Sequence, residues 1–119
     1  MRPVLLAAAA VLLAIGPAAA ESTTDAAHAL ATQLATTMQK CWFSGDAAFA
    51  PYRYTPEVNA GSPRILIVPK KTPQSRPLLV VVPTGAKSAD AYGPLLAGAL
   101  GPRLRADLTR WLTGNGDCT

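Results

Sequence analysis

Two cysteines, one histidine and seven carboxylates are the side chains of this 119-residue chain best suited to metal binding, nucleophilic attack or proton transfer. Their spacing decides which of those chemistries are open. A reactive cysteine needs a Cys-x-x-Cys partner or an activating histidine, and neither adjoins Cys41 or Cys118. The single histidine, His28, stands in an alanine-rich segment, without the paired cysteines or clustered carboxylates that complete a ligand set. It reads as a solvated surface residue, and no metal or other cofactor is expected. Asp46, Glu57, Asp90 and Asp107 are dispersed, with no motif around any of them. Hydrolysis of esters or glycans would need a nucleophile beside a base, or two carboxylates facing each other, and the chain has no Gly-x-Ser-x-Gly. Thr84-Gly85-Ala86-Lys87-Ser88 is not a phosphate loop either. Ala86 splits the glycine from the lysine, and Val80 occupies the place of the first glycine. Ser88 is instead read as the cap of a following helix. No catalytic residue is assigned, and the chain reads as a non-enzymatic module.

The remaining candidates are cations. Lys70, Lys71 and Arg76 lie on the proline-stiffened stretch Lys70–Pro77, and Arg53 is framed by Tyr52 and Tyr54. These four form a candidate binding surface, suited to an envelope protein or an acidic envelope component. The same loop charges keep a segment solvated and guard strand ends against aggregation, which is the preferred reading. Interleaved aromatic and basic residues can stack on bases or sugars. A formal net charge of +4 is too mild for a nucleic-acid footprint, however, and no nucleic-acid partner is expected. The alternative from another class is a small secreted enzyme, or an inhibitor presenting the Lys70–Pro77 loop.

The elements that must position these groups follow a leader. Arg2, the apolar run Val4–Ile15, Gly16-Pro17 and the small residues Ala18–Ala20 have the form of a signal peptide cleaved before Glu21. The run is too short to cross a hydrocarbon core of roughly 30 Å as a helix, so no transmembrane anchor is expected after cleavage. Residues 1–20 are assigned to the leader and 21–119 to one small domain, monomeric and periplasmic or secreted. That compartment oxidises thiols, so Cys41 and Cys118 are expected to form one disulfide.

Glu21–Trp42 reads as the first helix, with a capping-box spacing over Ser22–Asp25 and an apolar stripe of Ala27, Leu30, Ala31, Leu34, Met38, Cys41 and Trp42. Tyr52–Thr55 alternates like a strand, and Asn59–Pro63 reads as a turn. Two apolar runs, Arg64–Pro69 and Arg76–Pro83, are closed by prolines and joined as a hairpin through the basic loop. Ala89–Leu112 suggests two short helices separated at Gly101-Pro102. Leu104, Leu108, Trp111 and Leu112 stripe the second, while Arg103, Asp107 and Arg110 form surface ion pairs. The fold class is α+β: an N-terminal amphipathic helix, a small antiparallel sheet of two to three strands, and C-terminal helices packed on one face.

A first helix ending in Cys41-Trp42, a compact sheet and a closing helical region, over Thr24–Leu112, resemble the C-terminal domain of TolA and TonB proteins. In many TolA sequences from Gram-negative bacteria a Cys-Trp pair likewise closes the helix before the sheet. The resemblance implies a periplasmic protein-binding module whose exposed strand accepts a partner's strand. The family's membrane anchor and long helical stalk are not seen in this sequence, and the Lys70–Pro77 loop replaces its short Asp-Gly turn. No functional residue carries over.

Overall fold

Every residue of the predicted stripe on the first helix, from Ala27 to Trp42, is buried. The computed structural model describes residues 16–58 and 61–119, with side-chain packing from residue 23 onward. Most of the predicted leader and part of the Asn59–Pro63 turn therefore lie outside the described residues. Helix α1 spans Gly16–Cys41, so it begins upstream of the expected start and the Ser22–Asp25 spacing falls inside it. Ala18–Ala20, of the highest helix propensity, carry it through that point. At its other end the chain turns through Gly45, whose φ of +107° is open to glycine at little cost.

Four strands follow as an antiparallel meander: β1 (Tyr52–Glu57), β2 (Arg64–Pro69), β3 (Leu79–Pro83) and β4 (Ala89–Tyr92), in that spatial order. The β2–β3 hairpin pairs Leu66 with Val80 through the basic loop, as its two apolar runs suggested. Alternation along β2 and β3 puts Ile65, Ile67, Leu79 and Val81 on one face, all fully buried. They form one cluster with Leu30, Leu34 and Met38 of α1 and with Leu104, Leu108 and Trp111 of helix α2 (Gly101–Leu112). By the same alternation Leu66, Val68, Val80, Val82 and Tyr92 share the outer face with Arg53, Glu57, Arg64 and Asp90. Unbroken apolar runs are thus explained by the core inside and a Val/Leu stripe outside, in which Val68 and Val80 are themselves buried.

Ala89–Tyr92 departs from expectation. It is a strand, not a helix, which raises the sheet from the expected two to three strands to four. Gly93-Pro94 is the local reason. Proline disfavours the α conformation at the residue before it, and Gly93 sits at φ +139°. Only a short 3-10 turn, Pro94–Ala97, forms before α2. Ser88 closes the β3–β4 hairpin rather than capping a helix: its carbonyl accepts from Thr84 N–H at 2.9 Å and its hydroxyl from Thr84 Oγ1 at 2.8 Å.

Candidate functional site

Cys41 and Cys118 form a disulfide, with their Cα atoms 5.2 Å apart. It joins the end of α1 to the tail after α2. The tail is held further by Lys40 Nζ on the Gly116 carbonyl at 2.9 Å, and by Trp111 Nε1 and Arg110 Nε on the Asp117 carbonyl, each at 3.0 Å. These cysteines are a structural staple and carry no free thiol.

Beside the staple lies a polar cluster that the sequence pattern placed on the surface. Asp107 is 5% exposed. Its Oδ2 accepts from Trp42 Nε1 at 2.8 Å and its Oδ1 from Arg110 Nη2 at 2.6 Å. Arg103 Nε stands 3.5 Å from the same carboxylate, while its Nη2 reaches Asp46 Oδ2 at 2.6 Å. Asp46 also accepts from Ala48 N–H at 3.0 Å, starting the 3-10 turn Ala47–Phe49. The Arg103 guanidinium lies 5.0 Å from the Phe49 ring centroid, and Phe49 stacks on Trp42 at 5.0 Å. Hydrogen bonds from Arg103 and then from Ala48 hold the Asp46 carboxyl below the usual carboxylate range. Two carboxylates, dispersed in the sequence, thus meet in space. A guanidinium stands between them and each carboxylate has both oxygens on protein donors, which ties the turn after α1 to α2.

Of the four predicted cations, Arg53 lies on β1 and Lys70, Lys71 and Arg76 on the loop between β2 and β3. Lys70 borders a hollow with Phe43, Asp46 and Tyr52, and with Lys71 a second beside Pro51 and Pro69. Arg53 stands on the outer face of β1, and Arg76 is exposed near the end of its loop. His28 lies on α1, its Nδ1 3.0 Å from the Thr24 carbonyl.

The outermost strands present a different opportunity, and the prolines fix its geometry. In an antiparallel ladder, hydrogen-bonded and non-bonded pairs alternate, and a residue in a non-bonded pair turns its N–H and C=O away from that neighbour. Lys70 N–H bonds the Pro51 carbonyl at 2.8 Å. Counting along the register, Arg53–Val68 and Thr55–Leu66 are bonded pairs, whereas Tyr52, Tyr54 and Pro56 face outward. Proline has no N–H, so Pro56 interrupts the β1 edge as a guard. On the other side, the Thr84–Ser88 bond makes Val82–Asp90 and Val80–Tyr92 bonded pairs. Ala89 and Ala91 therefore turn their N–H and C=O outward, with no proline among them. Opposite Ala89 is Pro83, which could not have donated across that pair in any case.

Inward of this open edge runs a groove of about 260 Å³ between β4 and α2, lined by Ala89, Ala91, Leu96, Leu108 and Leu112, with Arg105 and Thr109 at its margin. Arg105 Nη1 donates to the Leu96 carbonyl at 2.9 Å. The corresponding inner positions on β1 are Tyr52 and Tyr54, and Tyr54 already stacks on Phe43 at 5.0 Å. A hollow of about 300 Å³ lined by Ala35, Tyr54, Pro56 and Val58 also flanks β1, so what sets β4 apart is a groove beneath an edge that no proline interrupts. Sequence reasoning missed it because it read Ala89–Tyr92 as helix; the Gly93-Pro94 pair was the available signal.

Among the described residues no helix is long and apolar enough to cross a membrane, and no three His, Cys, Asp or Glu side chains converge in a metal-binding group. No protein-family model, curated protein or solved structure matches the chain.

Proposed function

We propose that this protein is a non-enzymatic binding module of the periplasm or extracellular space, which captures an extended segment of a partner protein by adding it as a fifth strand beside β4. The observation that carries this reading is the outward-facing backbone of Ala89 and Ala91 above the apolar groove to α2. Strand addition draws affinity from main-chain hydrogen bonds and selectivity from pockets for alternate side chains. β4 offers both, whereas the β1 edge, although it has a hollow of its own against α1, is interrupted by Pro56. The disulfide supports an oxidising compartment, the one the predicted leader addresses. The reading agrees with what the TolA and TonB resemblance implies, and it assigns the accepting strand from this chain's own register.

An array of random heptapeptides tests it. Wild-type protein is expected to bind a subset that Ala91→Pro loses, because proline there removes an outward N–H while leaving the β3 ladder whole. Arg53→Ala, on the opposite edge strand, is expected to keep the subset. An unchanged subset for Ala91→Pro, or loss with Arg53→Ala, would contradict the assignment.

A further inference from the structure

We propose that the segment received by β4 carries large aliphatic side chains at two alternate positions, with a lysine or arginine between them. The inference rests on the strand-accepting reading above and is fixed by register. A strand laid beside β4 sets one residue opposite each of Ala89, Asp90 and Ala91, with successive side chains on opposite faces. The two opposite the alanines point over the groove walled by Leu96, Leu108 and Leu112. Methyl groups on β4 leave that volume unfilled, so the incoming strand must supply the bulk, and isoleucine or leucine does so without burying a polar atom.

The residue between them stands on the outer face opposite Asp90. Asp90 is exposed, and among the described residues it has no cation partner. Opposite charges directly across a strand pair attract, and like charges there repel. A basic residue is therefore favoured at that position and an acidic one disfavoured.

A second copy of this chain is a poorer occupant. Its own β4 would bring alanines to the groove side, leaving both grooves unfilled. The register centred on Asp90 would also set two aspartates opposite each other.

Two labelled heptapeptides test the inference: Ser-Thr-Ile-Lys-Ile-Thr-Ser and its counterpart with glutamate for lysine. Each is titrated by fluorescence anisotropy at low salt against the wild type, Asp90→Lys and Ala91→Pro. The lysine peptide is expected to bind the wild type roughly fivefold more tightly than the glutamate peptide, with the order reversed for Asp90→Lys. Ala91→Pro is expected to weaken both by about tenfold or more, as main-chain bonds are lost. Equal affinities for wild type and Asp90→Lys, with both peptides still weakened by Ala91→Pro, would overturn the basic-residue inference and leave strand acceptance standing. Indifference to Ala91→Pro, or binding of neither peptide, would overturn both. Dimerisation without peptide, abolished by Ala91→Pro, would give the edge to a second copy and likewise overturn the proposal.

Discussion

Asp107 shows how a charged residue that looks like surface decoration becomes an internal fixture. Its neighbours Arg103 and Arg110, at helical spacing, suggest an exposed ion-pair row worth ~0.2–0.5 kcal/mol per pair. The partner that buries it is Trp42, 65 positions away, and nothing in either local sequence announces the bond. Asp107→Ala would leave the buried Trp42 N–H without an acceptor and Arg110 without its carboxylate. The expected cost is ~2–4 kcal/mol in the urea midpoint, and a loss below ~0.5 kcal/mol would contradict the role given to it. Asp46 acts through pH. Its folded pKa lies below the ordinary carboxylate value, because Arg103 and the Ala48 N–H favour the charged form. Such a group adds stability that is present above the unfolded pKa of ~3.9 and lost as pH falls through the lower folded value. The stability gap between wild type and Asp46→Asn should therefore be constant near neutrality and close below about pH 4. A gap that widens on acidification would reverse the assigned sign.

Among the elements, those with long patterns were legible and the shortest was not. The α1 stripe, the α2 stripe and the two apolar runs each repeat their period often enough to fix type and buried face. Ala89-Asp90-Ala91-Tyr92 does not. Two alanines after a serine favour a helix on local propensity, and the outcome is decided by pairing with β3, a tertiary effect. The buried polar cluster and the open edge both depend on such distant partners, so neither was visible as a site. Gly93 is the hinge of that outcome. A Cβ on it would overlap the Leu78 carbonyl, and φ at +139° disfavours any side chain. Gly93→Ala should cost ~1–3 kcal/mol and loosen β4 more than β2. Amide exchange that rises at Asp90 and Tyr92 but not at Ile65 or Ile67 would record that pattern, whereas uniform destabilisation would speak against a local hinge.

For the whole molecule, the disulfide ties α1 to the tail after α2, across a sequence separation of 77 residues. Closing a loop of that size in the unfolded chain is worth up to ~4 kcal/mol, and native strain lowers the figure. Cys118→Ser should remove ~2–4 kcal/mol and free the tail now held by Lys40, Arg110 and Trp111. An unchanged denaturant midpoint would show that the cross-link contributes nothing beyond the core. Two helices and a staple on the inner side leave the sheet with unequal edges, one interrupted by Pro56 and one open at Ala89 and Ala91. Residue-resolved amide exchange, with and without a bound Ile-Lys-Ile peptide, tests that asymmetry most directly. Strand addition at β4 predicts slowed exchange at Ala89 and Ala91, with Tyr52 and Tyr54 on the β1 edge unchanged. Protection at Tyr52 and Tyr54 instead, or at neither edge of a peptide-saturated protein, would contradict it.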